Sequence, residues 1–355
     1  MTSQARFYKD SRTGQSCERG MGLVTTAQRI PVNNGWLSAA AKTSKPGTAM
    51  LAFLAILAAA ALLASASESP AADIPLPPVN LGDTSFQDAI AFPGWLVEET
   101  FSYYHANQFN DYQGHDRPGS NRLTIMSAVT HVAWISNFRL LGGFYGAEIL
   151  IPLAVLDFKT EFGPNDRDHG LGDISVSPFF IQWPEHTLFG RPFFQRLDLL
   201  FKLPTGDYSS HSAVNVGSNI YSFNPYYAVT LAPTPRLEFS SRLYYLWNSE
   251  NDDPFFKLRA NNTQPGQAFH MNAAASYEIF KDFRAGVAGY ALQQITDDKV
   301  DGNDQVHSKE RVFGIGPGFK YKLDTWLLYL NSYYETGAEN RPEGVKFVFR
   351  ISKLF

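Results

Sequence analysis

A two-residue alternation of apolar and polar side chains recurs along residues 94–355, and it strongly limits the folds open to this chain. In residues 197–203, for example, Leu197, Leu199 and Phe201 alternate with Asp198 and Lys202. This period is typical of β-strands that have one apolar face. Such strands are predicted at 94–106, 122–136, 142–156, 171–183, 195–204, 219–232, 236–248, 269–281, 283–295, 310–323, 325–336 and 344–355. The pattern therefore predicts an all-β protein with about 12 strands.

The connections between the predicted strands alternate in length. The long connections are rich in Asp, Asn, Gly and Ser and lie at 107–121, 157–170, 205–218, 249–268, 296–309 and 337–343. The short connections lie around Asn137 and at 233–235, 281–282 and 323–325, with 184–194 as a longer exception. Long loops at one end and tight turns at the other are typical of outer-membrane barrels. We therefore predict a transmembrane antiparallel up-and-down β-barrel over residues 94–355, in the outer membrane of a Gram-negative bacterium.

Aromatic residues fall where such a barrel would meet the membrane boundaries. Four tryptophans lie near predicted tight turns and one near a long loop, as expected for aromatic girdles; they are Trp95, Trp134, Trp183, Trp326 and, at the loop end, Trp247. The last predicted strand, FVFRISKLF, ends on Phe355. Because a sheet in hydrocarbon must close to satisfy its backbone, this strand is predicted to pair with the first. The predicted partners are outer-membrane lipid, lipopolysaccharide and the barrel-insertion machinery, for which a terminal aromatic is a common signal.

Residues 1–72 have the features of a targeting segment. Lys42 and Lys45 precede an apolar run from Met50 to Ala64, which is about the length of a signal-peptide core and is followed by small residues. The run is shorter than the ~20 residues that a membrane-spanning helix needs. We predict an atypical N-terminal extension followed by a cleaved signal peptide, with a membrane anchor as the alternative. Residues 73–93 are rich in proline and are predicted to form either a periplasmic leader or a small plug in the barrel.

Charge and cysteine content exclude several classes of function. Removing the seven basic and three acidic residues of positions 1–72 from totals of 30 and 34 leaves 23 basic and 31 acidic residues, a net charge of −8. Nucleic-acid binding, which requires a basic surface, is therefore not expected. The single cysteine, Cys17, lies before the barrel, so no cysteine nucleophile or cysteine metal site is expected in residues 73–355.

The loop TDDKVDGND, residues 296–304, contains four aspartates. Carboxylates can bind hard cations, but these aspartates do not have the spacing of a calcium loop. We therefore predict a solvated loop. We predict no metal site and no cofactor.

If the apolar strand faces meet lipid, the opposite faces line the lumen. A barrel of about 12 strands is narrower than the sixteen-stranded porins that enclose an open aqueous channel. Inward aromatic residues, predicted at Phe179, Tyr244 and Tyr333, would narrow it further. The predicted pore-lining residues carry charges of both signs, which suits a hydrated or ion-paired interior; they are Glu148, Asp198, Lys202, Glu238, Arg242, Glu278, Lys320, Lys322, Glu335 and Arg350.

Two other classes of function remain open from the sequence. An outer-membrane lipid-modifying hydrolase needs a serine and a histidine within hydrogen-bond reach. Ser127 shares a predicted strand face with His131, and Ser276 shares one with His270. Neither pair lies in a recognisable motif, so no catalytic residue is assigned and no enzyme activity is predicted. The other class is a structural or adhesive barrel whose large loops carry the function.

Seven short stretches add a more specific indication, and they occur in this order: GLGD at 170–173, KLPTGDY at 202–208, VNVGSN at 214–219, LYYLWNSEN at 243–251, YALQQITDDKVDG at 290–302, GIGPG at 314–318 and ENRPEG at 339–344. Together they resemble the outer-membrane transporter family named after the meta-pathway of phenol degradation, over about residues 81–355. The resemblance implies a link to the catabolism of aromatic compounds. With the barrel pattern, it leads us to predict a channel for passive uptake of small hydrophobic, phenol-like compounds.

Overall fold

The computed structural model describes residues 74–355, which contain a closed antiparallel barrel of twelve strands. Each strand pairs with the strands that precede and follow it along the chain, and three strands are interrupted. The strands are β1 (Gly94–Phe109), β2 (Arg122–Leu140), β3 (Gly143–Lys159), β4 (Asp166–Leu171 and Ser175–Gln182), β5 (Arg191–Asp198 and Phe201–Lys202), β6 (Ser222–Phe223 and Tyr226–Leu231), β7 (Leu237–Asn248), β8 (Ala268–Phe280), β9 (Phe283–Gln294), β10 (Arg311–Leu323), β11 (Trp326–Glu339) and β12 (Pro342–Leu354). The predicted signal peptide and N-terminal extension lie outside the described residues.

The barrel closes through the pairing of β12 with β1. The register runs from Leu96 opposite Leu354 to Phe109 opposite Pro342. Beyond Leu354, the Trp95 amide donates to the Phe355 carbonyl at 3.3 Å, and the Phe355 amide donates to the Trp95 carbonyl at 2.9 Å. Closure leaves the sheet without an open edge, which a sheet in hydrocarbon requires. The predicted all-β transmembrane barrel and its strand number are confirmed.

The end of the barrel that holds the chain's last residue is formed by tight turns. The turn between β2 and β3 lies at Leu141 and Gly142, a few residues beyond the predicted position at Asn137. Both residues have positive φ, 51° and 81°. Two central residues of this kind match the right-handed twist of the flanking strands, so they are favoured in two-residue hairpins. We refer to this end as the turn end and to the opposite one as the loop end.

Two predicted connections were too long. Residues 184–194 were predicted as a longer exception among the short connections, but His186–Leu188 pairs with the start of β5 around a tight turn at Phe189 and Gly190. Residues 337–343 were predicted as a long loop at the other end. Instead β11 and β12 extend toward each other, which leaves only residues 340–341 between them.

The interruptions of β4, β5 and β6 lie next to one another in the barrel wall. Asp173, in the gap of β4, accepts hydrogen bonds from the backbone amides of Gly206 at 3.0 Å and Ser218 at 2.8 Å. The side chain thereby attaches the loop between β5 and β6 to the wall. This gives the aspartate of the GLGD stretch a structural role.

The outer faces of the strands are apolar and exposed, whereas the inner faces are buried. Along β10, Phe313, Ile315 and Phe319 are exposed, whereas Val312 and Lys320 on the opposite strand face are buried. The tryptophans lie where they were predicted. At the turn end, Trp95 and Trp326 lie at the start of their strands, Trp183 directly follows β4, and the Trp134 ring lies 6.1 Å from that of Trp95. At the loop end, Trp247 is the penultimate residue of β7. The described residues contain no helix that is long and apolar enough to cross a membrane.

The loop between β9 and β10, predicted as solvated, is exposed at Asp301 and Asp304 but is also folded. Asp298–Val300 and Asn303–Gln305 form a small sheet with Thr263–Gln264 from the loop between β7 and β8. Asp298 is 1% exposed, and its Oδ1 accepts hydrogen bonds from the Gly266 amide at 2.8 Å and the Gln294 side-chain amide at 2.7 Å. One of the four aspartates is therefore part of a folded core at the loop end.

Burial of Asp298 predicts a pH-sensitive loop. Burial, together with the neighbouring Glu310, raises the pKa of the Asp298 carboxyl from 3.8 to about 8, although the Gly266 amide opposes the shift. Because the folded pKa is higher than the unfolded one, the stabilisation is complete below the unfolded pKa and is lost as the pH rises through the folded pKa. We expect protease cleavage of this loop to accelerate between pH 5 and pH 8 relative to the Asp298→Asn variant measured at the same pH. An equal acceleration in both proteins would contradict this assignment.

Candidate functional site

All ten predicted pore-lining residues lie on inward strand faces. On β7, Glu238 and Arg242 share a face with the buried Ser240 and Tyr244, whereas Leu243 on the other face is exposed. Glu278 and Lys322, near the turn end, are partly exposed, and most of the others are buried. Their role in lining a pore remains a prediction, but the alternation placed each of them on the expected face.

An ion-paired cluster occupies the inner wall between β1, β2, β3, β5 and β12. The Glu148 carboxylate lies 3.1 Å from His131 Nε2 and 3.8 Å from Arg196 Nη1. Glu98 lies 3.6 Å from the other ring nitrogen of His131 and 3.7 Å from Arg350 Nε. His131, Glu98 and Arg196 were not among the predicted pore-lining residues, although each lies on an inward position of its strand.

Hydroxyl groups of the wall bind two further carboxylates. Glu238 accepts hydrogen bonds from Ser240 and Ser276, both at 2.6 Å. Glu335 accepts them from Tyr104 at 2.7 Å and from Tyr290 at 2.9 Å. Buried carboxylates are costly unless they are hydrogen-bonded or paired. The wall therefore supplies partners for these acidic side chains from its own strands.

Residues 74–93, which we call the lumen segment, cross the interior of the barrel. At the loop end, the Leu76 amide donates to Glu310 Oε1 at 2.9 Å. Near the turn end, the Ala89 amide donates to Thr230 Oγ1 at 3.1 Å, and its carbonyl accepts from the Gln182 side chain at 3.0 Å. Between these points, the Gly82 amide donates to Asn272 Oδ1 at 2.8 Å. The segment thus runs from one end of the lumen to the other.

Four cationic side chains on four strands hold the lumen segment. Arg242 on β7 makes a bidentate pair with Asp88, with N–O distances of 2.6 and 2.8 Å. Lys346 on β12 lies 2.7 Å from Asp83 Oδ1. Lys320 on β10 donates to Gln87 Oε1 at 2.7 Å, and Lys202 on β5 donates to the Pro78 carbonyl. The segment itself carries two aspartates and no lysine or arginine, so its charge complements these cations.

Apolar contacts hold the segment at two further places. Phe86 is fully buried in a cluster that includes Leu81, Tyr290 and Tyr333. A Cβ at Gly318 would lie 2.8 Å from the Phe86 ring, so the last glycine of the GIGPG stretch leaves room for this side chain. Ala89 and Ile90 pack against Phe194, Tyr226, Ala228 and Tyr244. The two clusters pack against the segment inside the barrel.

Two of the three predicted inward aromatics are confirmed. Tyr244 and Tyr333 are buried in the lumen, but Phe179 is not the inward residue of β4. Phe180 takes that position, fully buried with the Arg196 guanidinium 4.8 Å from its ring centre, while Phe179 packs on Tyr145. The register of β3 against β4 shifts between Gly146 and Glu148, and such an irregularity exchanges the two faces of a strand.

The serine–histidine pairs of the hydrolase alternative bind other partners. His131 contacts Glu148 and Glu98, while Ser127 hydrogen-bonds Ser102 at 2.7 Å. His270 Nε2 lies 3.0 Å from Asn224 Oδ1, while Ser276 donates to Glu238. The arrangement that nucleophilic catalysis requires is not formed at either pair. Among residues 74–355, no group of three or more histidine, cysteine or acidic side chains is placed to hold a metal ion.

A closed barrel with an apolar exterior and a polar, ion-paired interior is the fold of an outer-membrane channel, and it indicates location in the bacterial outer membrane. The chain belongs to the family described as "Putative MetA-pathway of phenol degradation", whose sequence pattern matches residues 106–351. A comparison with curated protein sequences gives no match.

A solved outer membrane channel shares the fold at low sequence identity. An outer membrane channel from Pseudomonas putida F1 superposes with a TM-score of 0.67 at 14% identity, covering 78% of this chain and 100% of that one. The transport unit of the Escherichia coli autotransporter AIDA-I gives 0.47 at 11% identity, covering 77% and 93%. The β-domain of the Bordetella autotransporter BrkA gives 0.44 at 11% identity, covering 74% and 100%.

Proposed function

We propose that this barrel mediates passive uptake of small hydrophobic compounds, aromatic ones in particular, across the outer membrane, and that the lumen segment gates it. The proposal rests on the inner surface against which the segment packs. Tyr226, Tyr244, Tyr290 and Tyr333 present their rings to apolar side chains of the segment. A surface that holds a phenylalanine and an alanine by ring contacts also suits a small aromatic solute, because aromatic rings gain energy from such contacts beyond the area they bury.

The family description supports the same class of substrate, and the fold supports a channel. The family description refers to phenol degradation, and the channel from Pseudomonas putida shares the barrel architecture. The hydroxyl and ionic groups of the wall give solutes with one polar group a place to interact. We further propose that the exposed apolar band contacts outer-membrane lipid and lipopolysaccharide, and that β12 with Phe355 is recognised by the barrel-insertion machinery. We assign no catalytic residue and no cofactor.

A flux measurement on the purified barrel in liposomes tests this function. We expect labelled phenol and toluene to enter barrel-containing liposomes faster than barrel-free ones, by a larger margin than glucose does. The comparison with empty liposomes is needed because aromatic compounds also cross the bilayer directly. If the barrel accelerates no solute, the transport function is wrong, and adhesion through the loops becomes the leading alternative.

Replacement of Phe86 tests the gating role of the lumen segment. Phe86 is fully buried against the wall, whereas Phe92 in the same segment is 61% exposed. Phe→Ala at a buried site costs roughly 3–5 kcal/mol, so we expect Phe86→Ala to loosen the segment and raise the flux of phenol severalfold. The matched variant Phe92→Ala should change the flux little. Equal flux in the two variants would show that the apolar anchor does not control passage.

A further inference from the structure

Asp88 occupies a recognition site for a carboxylate inside the lumen. The Arg242 guanidinium binds both carboxylate oxygens of Asp88, through Nε at 2.6 Å and Nη2 at 2.8 Å. It also lies 4.2 Å from the centre of the Tyr226 ring and donates to the Tyr244 hydroxyl at 3.3 Å. Bidentate pairing and stacking on an aromatic face are the two modes of recognition for which arginine is best suited.

The site continues from the carboxylate position into an apolar pocket. Directly after Asp88, Ala89 and Ile90 pack among Phe194, Tyr226, Ala228 and Tyr244. The Tyr226 and Tyr244 rings lie 5.1 Å apart at an angle of 52°. A bound molecule that places a carboxylate on Arg242 would therefore place its apolar body against aromatic rings. In chemical terms, residues 88–90 fill this space as a carboxylate joined to a small apolar group.

Two neighbouring carboxylates of the wall, Glu148 and Glu238, are engaged with other partners, whereas neither oxygen of the buried Asp198 has a hydrogen-bond partner. Glu148, on the same side of the lumen, pairs with His131 and Arg196, and it accepts from the Tyr226 hydroxyl at 3.3 Å. Glu238, four residues from Arg242 on the same face of β7, is bound by Ser240 and Ser276. Withdrawal of the lumen segment would thus remove Asp88 from Arg242 and leave the guanidinium facing the lumen. In the same way, Lys346 would lose its partner Asp83.

We propose that Arg242, Tyr226 and Tyr244 form a binding site for an aromatic carboxylate, which competes with Asp88 and so releases the lumen segment. This deepens the proposed function and rests on it in one respect, because the lumen must be accessible to the solute. The carboxylate of the ligand replaces that of Asp88 on Arg242, and its ring replaces Ala89 and Ile90 in the aromatic pocket. The substrate class is then narrowed from neutral aromatics to aromatic acids.

Asp88 is covalently attached to the barrel and competes with a free aromatic carboxylate for Arg242. This competition predicts how the affinity for the free ligand differs between the variants. A tethered competitor acts at an effective concentration in the millimolar range or above, which weakens the apparent affinity of a free ligand of similar strength. Removal of the Asp88 carboxylate should therefore strengthen binding of a free aromatic carboxylate at least tenfold. Removal of Arg242 should abolish binding at this site with or without Asp88.

Calorimetric titration of the purified full-length barrel with benzoate tests the site, with neutral benzamide as the isosteric control. We expect Asp88→Ala to bind benzoate at least tenfold more tightly than the unaltered protein, with little change for benzamide. The double variant Asp88→Ala/Arg242→Gln should lose that gain. Thermal unfolding of each variant shows whether the barrel is intact. Because the Asp88 carboxylate is already absent from the double variant, Arg242→Gln does not strand it; the substitution removes the contacts of the guanidinium with Tyr244 and Tyr226.

Asp83→Ala is the matched control, since it breaks the pair with Lys346 at another level of the lumen. If both single variants gain affinity for benzoate equally, the gain comes from a loosened segment and the Arg242 site is wrong. Equal gains for benzoate and benzamide would also overturn it. The liposome assay separates this failure from failure of the proposed function: phenol flux with no Arg242-dependent benzoate binding contradicts only the carboxylate site, whereas absence of all flux contradicts the transport function.

Discussion

Deletion of residues 74–90 is expected to raise the ion conductance of the barrel by roughly an order of magnitude. A barrel of twelve strands is wider than the eight-stranded barrels that side chains fill and narrower than open porins, so removal of the segment should leave a water-filled passage. The lumen segment fills that space from the Leu76 contact at the loop end to the Ala89 contact near the turn end. Conductance of single barrels in planar bilayers measures the effect directly.

The same deletion should make the conductance selective for anions. It removes two aspartates and exposes Lys202, Arg242, Lys320 and Lys346 to the lumen. Focused charge of one sign raises the local concentration of the opposite ion. A reversal potential measured across a salt gradient reports this preference. A glycine–serine replacement of equal length is the control, since it keeps a chain in the lumen but removes its anchors. Unchanged conductance after deletion would mean that the segment does not limit passage.

Replacement of Glu148 by Gln should lower the free energy of unfolding by roughly 3 kcal/mol, because loss of one partner leaves buried charge without compensation. The Glu148 side chain is 2% exposed and serves both His131 at 3.1 Å and Arg196 at 3.8 Å. Glutamine keeps the size and the hydrogen-bonding capacity of the side chain but removes its charge. Unfolding in urea from lipid vesicles measures the loss.

Glu250→Gln provides a matched control, since Glu250 is an exposed loop residue and the same substitution should have little effect there. A double-mutant cycle with Arg196→Gln then isolates the pair. If the two substitutions are additive, the ion pair does not stabilise the barrel, and the hydrogen bond from Tyr226 to Glu148 becomes the next contact to test.

The strands were predictable because each one meets lipid on one face and the lumen on the other. The ninth strand was predicted at 283–295 and runs from Phe283 to Gln294, and the tenth was predicted at 310–323 and runs from Arg311 to Leu323. The tight turn at Phe189 and Gly190 was missed for a specific reason. Phe189 has φ of 54°, a conformation rare for a bulky residue, so the dipeptide gives no turn signal of the Asn-Gly kind.

The candidate site was only half predictable for a different reason. Alternation reports the face on which a side chain lies, and it placed Arg242, Lys202 and Lys320 inward. It does not report which groups meet across the lumen. Arg242 and Asp88 are 154 positions apart in the chain, and Lys346 and Asp83 are 263 apart. These pairs depend on the path of residues 74–93. The proline content of that segment was compatible with a periplasmic leader and with a plug in the barrel, so the sequence did not predict its path.

The path of the lumen segment also determines on which side of the membrane each end of the described chain lies. The barrel strands number twelve, an even number, so β1 begins and β12 ends at the same, periplasmic side. The segment adds one more passage, from Leu76 beside Glu310 at the loop end down to Gly94 at the start of β1. Thirteen passages are an odd number. Leu76 therefore lies at the loop end and Phe355 at the turn end, so these two residues lie on opposite sides of the membrane.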